Sequence, residues 1–211
     1  MKEITILGMG STMIKCSYTG EIWAMNQTYK VAKRIDKLFI TDPRLNFKSE
    51  PNHNFDELNS LDIPIISLHH FSEIKNFVHY PYDEIVEEFK TDFFTDTVCY
   101  MLAYAIHEGY EKIHMYGIDM ATQMEYMIER GGVEFWVGMA MGRGIEVTNT
   151  KGSMVCKPVM GVPYGQKAFV DMKTVDPYNL LKKHEEMNDA AEVVRGRGKR
   201  KKKENFNPAY A

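Results

Sequence analysis

The chain has 211 residues with 26 basic and 29 acidic side chains, a formal net charge of −3 and a hydrophobic share of 44%, as is typical of one well-cored globular domain with appendages. No apolar run approaches the roughly 20 residues that span a bilayer, and no secretory leader pattern opens the chain, so the sequence predicts a cytoplasmic protein without a membrane contact. The three cysteines are scattered (Cys16, Cys99 and Cys156), which argues against a disulfide framework or a metal site.

The basic side chains are unevenly distributed along the chain. Seven of them fall in residues 195–203, so the part before this segment is acidic. A duplex-binding domain needs a basic face on its folded surface, and this composition argues against one. Residues 195–211 are expected to be disordered. Residues 195–203 are either a solvated terminus or the one place where nucleic acid would bind, through counterion release.

The first thirty residues predict a buried strand, a glycine turn, a short polar crossover and a second strand that ends at Asn26. In open α/β sheets, ligands bind beyond the carboxyl ends of the strands, where glycines let backbone N–H groups approach an anion. Gly8, Gly10 and Ser11 are therefore predicted to floor a nucleotide or phosphate site, with Asn26 beside it. The alternative is a tight turn without a ligand.

The next part of the chain predicts two further strands, over residues 37–41 and 63–67. Pro64 cannot donate to a ladder, so it places the second of these at a sheet edge or at a strand start. Histidines 69 and 70 follow this strand, and one of them, with His70 preferred, is the candidate general base. The alternative is a partly buried structural histidine. A short helix capped by Asp83 is expected to reach Phe89.

The clearest helix has Asp96 or Thr95 as its N-cap and ends at Gly109, with apolar residues at helical spacing between them. A strand over residues 112–118 follows and ends at Asp119, so this part forms half of a βαβ unit. Residues 121–141 predict two helical pieces hinged at Gly131 and Gly132, and a last strand covers residues 145–148.

Four polar side chains after these elements are candidate site residues. Asp119 would accept a hydrogen bond from a ribose or sugar hydroxyl, Glu125 would do acid–base work, and Arg130 would pair with a phosphate. Arg143, in the turn Gly142-Arg-Gly144 and expected at the same carboxyl edge of the sheet as Asp119, would recognise a diphosphate or a carboxylate. The alternatives are helix caps and solvated charges.

The opening turn departs from the dinucleotide-binding fingerprint. Met13 stands at the position of the third glycine, and the second strand ends in Asn26 rather than in an acidic residue. These differences argue against a dinucleotide and favour a mononucleotide or a nucleotide-sugar as the ligand.

Two blocks of the chain resemble a known family. One joins Gly8-Met-Gly10 to the strand ending at Asn26 and to Phe39-Ile-Thr-Asp42, and the other runs from Ala105 to Asp119 and continues through Trp136–Gly144. They look like a group of uncharacterised Rossmann-like proteins common in phages and prophages. More distantly, they are similar to the 6-hydroxymethylpterin diphosphokinase-like and the Rossmann-type bacterial sialyltransferase folds. This resemblance implies a nucleotide-binding transferase fold with Gly8, Gly10, Ser11 and Asn26 on the nucleotide.

The sequence thus predicts an α/β protein with a Rossmann-like three-layer fold and a mostly parallel sheet. The nucleotide-binding domain covers residues 1–155, and a loop or hairpin followed by a helix over residues 156–194 packs on it. The predicted function is a phage-encoded transferase that moves a glycosyl or diphosphoryl group from a nucleotide or nucleotide-sugar. The alternative is a non-catalytic module of the same fold that binds a nucleotide or a partner, and a homo-oligomer is compatible with either.

Overall fold

A computed structural model describes residues 1–42, 54–121, 124–158 and 163, without the side chains of residues 124–126. Its centre is a sheet of seven parallel strands in the order β5-β4-β3-β2-β1-β6-β7. The strands are β1 (Glu3–Leu7), β2 (Glu21–Met25), β3 (Lys37–Phe39), β4 (Ile65–Ser67), β5 (Phe77–His79), β6 (Lys112–Tyr116) and β7 (Glu146–Asn149). The predicted α/β class is confirmed.

Within the described residues, four α-helices and two short 3-10 helices connect the strands. The α-helices are α1 (Phe55–Ser60), α2 (Tyr82–Phe89), α3 (Thr97–His107) and α4 (Met124–Gly142). The 3-10 helix Ser11–Lys15 follows the short loop after β1, and the 3-10 helix Asn26–Lys30 follows β2 directly. No helix within the described ranges is long and apolar enough to cross a membrane.

The order of the strands creates a switch point between β1 and β6. The chain adds strands outward from β1 to β5, and α3 then returns it to the other side of β1, where β6 pairs in register from Glu3 opposite Lys112 to Leu7 opposite Tyr116. The connections on the two sides of this point leave the sheet in opposite directions. A crevice for a ligand therefore lies beyond the carboxyl ends of β1 and β6.

Two apolar clusters hold the layers together. On one face, strand residues such as Ile6, Trp23 and Ile113 pack with α3 and α4, and all three are fully buried. On the other face, the described residues form a smaller cluster beside β2, β3 and β4. Its members are Ala24, Leu38, Ile40, Leu58, Ile65, Phe71 and Ile74. The two clusters hold the sheet between its helices.

The predicted cap of α3 is confirmed. Asp96 has extended backbone angles, and its side chain accepts a hydrogen bond from the N–H of Cys99 over 3.0 Å. At the other end Gly109 has φ +71°, the left-handed conformation expected after a helix. Local chemistry thus defines both ends of the helix that carries the chain across the sheet.

Of the two predicted placements for Pro64, the strand start is confirmed, because the proline directly precedes β4; β4 lies between β3 and β5, so the sheet-edge alternative does not apply. Two other features differ from the sequence-based prediction. The edge strand β5 was not predicted, since three residues carry too little periodicity. Residues 131–132 are not a hinge, because α4 runs unbroken through them. The predicted helix ending near Val194 and the tail over residues 195–211 lie outside the described residues.

The unbroken α4 predicts opposite effects for substitutions at its two neighbouring glycines. A Cβ on Gly131 meets no atom of the described residues within 4 Å, whereas one on Gly132 would clash with the side chains of Thr95 and Cys99. Gly131→Ala should raise the free energy of unfolding by about 0.5–1 kcal/mol through helix propensity. Gly132→Ala should lower it by about 1–3 kcal/mol through overpacking. Urea unfolding of both variants measures these changes. An equal loss of unfolding free energy in the two variants would indicate a hinge at these residues instead.

Candidate functional site

The loops after β1 and β6 cross at the switch point in direct backbone contact. The N–H of Gly8 donates to the carbonyl of Tyr116 over 2.9 Å, and the N–H of Gly10 donates to the carbonyl of Gly117 over 2.8 Å. A Cβ on Gly8 would lie 2.5 Å from the carbonyl oxygen of Gly117, which itself has φ +68°. Glycine is therefore required at positions 8 and 117, because a side chain there would keep the two backbones apart.

This contact changes the predicted role of the opening turn. The sequence placed the N–H groups of Gly8 and Gly10 on an anion, and that part of the prediction is wrong, because both donate to protein carbonyls. The turn does lie at the switch point as expected, next to Ser11. The glycines shape the floor of the crevice, and their participation in nucleotide binding stays a prediction.

Asp119 fastens the two loops together from the β6 side. Its side chain is buried, with 7% of the residue exposed. One carboxylate oxygen accepts from the Ser11 hydroxyl over 2.8 Å and from the Thr12 N–H over 3.1 Å, and the other accepts from the Thr12 hydroxyl. The Thr12 oxygen in turn accepts from the N–H of Gly117 over 2.9 Å. The carboxylate expected to bind a sugar hydroxyl is thus satisfied within the protein.

Asn26 has the features of a ligand-binding residue. It directly follows β2 at the carboxyl edge, and its φ of +46° is a left-handed conformation that asparagine tolerates better than most other residues. Its side-chain oxygen is buried and accepts no hydrogen bond from the described residues. The hydroxyl of Thr28, two residues on, is likewise buried without such a partner. Buried acceptors of this kind are costly unless a ligand or water supplies a donor.

A second asparagine lies on the other side of the crevice, at the end of β7. The amide nitrogen of Asn149 donates to the Ser153 hydroxyl over 3.0 Å and to the Val155 carbonyl over 3.1 Å, while its oxygen is buried with no donor among the described residues. The Ser153 hydroxyl donates to the carbonyl of Ile118 over 2.7 Å. Sequence reasoning missed Asn149, although it immediately follows the predicted last strand.

Arg130 holds the chain after β7 against α4. Its Nε donates to Glu134 over 2.7 Å, and its Nη2 donates to the carbonyl of Lys157 over 3.3 Å. Glu134 also accepts from the N–H of Cys156 over 2.7 Å. The Arg130 guanidinium therefore stabilises this part of the structure. That it also pairs with a phosphate stays a prediction.

Arg143 lies at the opposite edge of the sheet from the glycine turn. It follows α4 and precedes β7, so it is at the amino ends of the strands. Its guanidinium donates to Glu88 over 2.6 Å and lies 4.3 Å from the centre of the Phe89 ring. The prediction that Arg143 shares an edge with Asp119 is wrong, because the length of α4 carries the chain back across the sheet.

The two predicted catalytic residues are not brought together by the described structure. His70 is exposed and packs edge to face on Phe77, with ring centres 5.0 Å apart. It follows β4, three strand positions or about 14 Å from β1 at the usual strand spacing. Glu125 is the second residue of α4, and its side chain lies outside the described residues. Both catalytic roles stay predictions.

The described residues offer no cluster of three or more His, Cys, Asp or Glu side chains that would hold a metal ion. The polar groups described at this edge include glycine backbone, the hydroxyl groups of Ser11 and Thr28 and the amides of Asn26 and Asn149, with a hydrogen bond from Lys15 to the carbonyl of Lys151 nearby. The two amide oxygens can accept hydrogen bonds from hydroxyl and amino groups.

Comparison with known proteins supports the fold. No protein-family model matches the chain, and no curated protein matches it significantly. The sialyltransferase CstII from Campylobacter jejuni, in complex with the substrate analogue CMP-3FNeuAc, is 17% identical with a TM-score of 0.50, covering 71% of this chain and 81% of that one. The sialyltransferase CST-II with a trisaccharide acceptor and CMP is 16% identical with a TM-score of 0.49, over 70% and 80%.

The first of these structures confirms the sialyltransferase-like part of the sequence resemblance at the level of the fold. The resemblance to diphosphokinase-like proteins and the phage origin stay predictions. At this identity the comparison says nothing of the reaction, which has to be argued from the site.

Removal of the Asp119 carboxylate should destabilise the protein strongly. Asp119→Ala leaves the Thr12 N–H and two hydroxyl groups without their acceptor, so we expect the free energy of unfolding to fall by about 2–4 kcal/mol. Asp119→Asn keeps one acceptor and should cost less. The control is Asp92→Ala, which removes an exposed carboxylate and should change the free energy of unfolding by under about 0.5 kcal/mol. Urea unfolding at pH 7 tests this, and an unchanged Asp119→Ala variant would contradict the fastening role.

The ion pair between Arg143 and Glu88, at the amino edge of the sheet, should give a pH-dependent contribution to stability. Burial acts to raise the pKa of Glu88, but hydrogen bonds from His107 and Arg143 outweigh it and hold the pKa below its usual value. The contribution is then present above the unfolded pKa of about 4.3 and is lost as the pH falls through the folded pKa. Glu88→Gln should cost up to about 1 kcal/mol at pH 7, because the pair is partly solvated. In thermal unfolding, Glu88→Gln should have the same stability as the wild type near pH 3. A difference in stability between the two proteins that stays constant with pH would contradict this prediction.

Proposed function

We propose that this protein binds a nucleotide-sugar beyond the carboxyl ends of β2, β1, β6 and β7 and transfers its glycosyl group to an acceptor hydroxyl. The observation that carries this proposal is the buried side-chain oxygen of Asn26, which has no donor among the described residues and is held in a left-handed conformation beside the switch point. Parallel α/β sheets bind ligands at this position. An N–H or O–H donor on the ligand would satisfy the amide oxygen.

The lining of the crevice favours a neutral recognition group over a phosphate. Asn26 and Asn149 both present amide oxygens, which accept hydrogen bonds from ribose hydroxyls or from the amino group of a base. They flank the crossing of the β1 and β6 loops, one strand position to each side. We expect the nucleoside part of the ligand to lie across this crossing.

Between the two reactions left open by the sequence, glycosyl transfer is favoured. Diphosphoryl transfer needs cations on the diphosphate, whereas Arg143 lies at the other edge of the sheet and Arg130 is paired with Glu134. The fold is that of a sialyltransferase whose structure holds a CMP-linked sugar analogue. A CMP-sugar is therefore the first donor to test.

In glycosyl transfer, the bond from the anomeric carbon to the phosphate oxygen breaks and a bond from that carbon to the acceptor oxygen forms. The acceptor loses a proton to a general base. Glu125, in the first turn of α4 at the carboxyl edge, and His70 are the candidates that the sequence offers for this role. Glu125 is preferred here, because His70 follows a more distant strand.

A non-catalytic binding module is the second candidate function. The observation that favours it is the use of the Asp119 carboxylate by Ser11 and Thr12, which removes an acid from the crevice. Such a module would bind the nucleotide with no turnover. Mass spectrometry after incubation with a CMP-sugar and a saccharide acceptor separates the two, since only a transferase releases CMP and forms a larger saccharide.

Substitution of Asn26 should weaken nucleotide binding without unfolding the protein. Asn26→Gly keeps the left-handed conformation and removes the amide, so we expect the Kd for CMP or a CMP-sugar to rise about tenfold or more. Calorimetric titration measures this, with CMP, UDP and GDP compared in parallel. Asn26→Asp retains an acceptor and should lose less affinity.

Arg143→Ala is the matched control for this titration, because it removes a side chain at the opposite edge of the sheet. Its Kd should equal that of the wild type. Absence of binding by the wild type at millimolar nucleotide, or equal binding by Asn26→Gly, would remove the basis of the proposal.

A further inference from the structure

The outer face of α4 is apolar, although a surface helix normally turns polar side chains to water. Its inner face buries Trp136 and Ala140 in the core. On the outer face, Met127, Ile128 and Phe135 are exposed by 54%, 72% and 37%. We call this surface the outer α4 face; it comprises Met127, Ile128, Gly131, Phe135, Gly138, Met141 and Gly142.

Open space surrounds the small residues of the outer α4 face. A Cβ on Gly131, Gly138 or Gly142 would meet no atom of the described residues within 4 Å. These glycines leave gaps between larger side chains, and such gaps accept the side chains of a second helix. The exposed Phe93 extends the surface, since its ring lies 5.6 Å from that of Phe135.

The described chain ends at the border of this face. After β7, Cys156 and Lys157 contact Glu134 and Arg130 of α4 through hydrogen bonds of 2.7 and 3.3 Å. These two α4 residues border the outer α4 face and pair with each other. The residues that follow position 158 therefore start beside an uncovered apolar surface of their own chain.

The sequence beyond this point contains a segment of matching length and pattern. Residues 176–194 place Leu180, Met187, Ala191 and Val194 on one side of a helix, at i, i+7, i+11 and i+14. Charged residues occupy most of the other side, at positions 182, 185, 186, 189 and 192, together with Val193, and Lys183 and His184 lie at the borders of the apolar side. The segment has 19 residues, as has α4, or about 28 Å of helix.

We propose that residues 176–194 form an amphipathic helix that packs on the outer α4 face. Residues 158–175 separate the two and could span up to roughly 60 Å when extended, so the segment can lie along α4 in either direction. Its apolar side would enter the gaps at the glycines, and its charged side would face water. This covers exposed apolar surface that would otherwise favour association with other proteins.

Hydrogen exchange of the full-length protein, followed by mass spectrometry, tests the proposal. In the wild type, peptides from residues 176–194 should exchange at least about tenfold more slowly than those from residues 204–211. Ile128→Glu should abolish this protection and leave α3 protected. The matched control is Ile14→Glu, a change of the same residue at nearly equal exposure (70% against 72%), which should leave residues 176–194 protected.

A second variant covers the case in which Ile128→Glu fails to fold and α3 loses its protection. Met187→Glu changes the segment itself, so it should release residues 176–194 while α3 stays protected. Unprotected residues 176–194 in the wild type would overturn the proposal, as would protection that survives both variants. A third outcome is that the wild type is a dimer, that Ile128→Glu dissociates it, and that the exchange of residues 176–194 stays unchanged. This outcome would assign the outer α4 face to a second copy of the chain and would also overturn the proposal.

Discussion

The crossing of the β1 and β6 loops is the constraint on which the site depends. Two backbone hydrogen bonds, three glycines and the buried carboxylate of Asp119 bring the ends of two parallel strands into contact. Because Thr12 donates to Asp119 and accepts from Gly117, the short 3-10 helix after β1 has a fixed position. Both flanks of the crevice are built on this junction.

The junction also determines which groups are left to bind a ligand. Its backbone donors and its carboxylate are used within the protein, so a phosphate has less to bind than the glycine turn first indicated. Among the described residues, the buried acceptors without a donor on the two sides include the amide oxygens of Asn26 and Asn149 and the hydroxyl of Thr28. A ligand with hydroxyl and amino groups, such as a nucleoside, complements them better than an isolated anion does.

Local patterns predicted much of this fold. The first two strands, α3 and its cap at Asp96 follow from periodicity and capping chemistry within a few residues. The errors concern tertiary context. Residues 131–132 belong to one continuous helix in which Gly132 lies against Thr95, and no local rule shows this contact. The expectation that Arg143 lies at the carboxyl edge is wrong, because Arg143 precedes β7 and therefore lies at the amino end of that strand. The open acceptors of Asn26 and Asn149 depend on contacts between distant loops, so sequence identified only the first, by its position.

The most direct measurement is a crystal structure of the protein with CMP at millimolar concentration. The nucleotide should lie over the crossing of the β1 and β6 loops, with one of its N–H or O–H groups within about 3.2 Å of the Asn26 side-chain oxygen. A nucleotide bound at the amino edge near Arg143, or an Asn26 oxygen that has no ligand donor in the complex, would contradict the account.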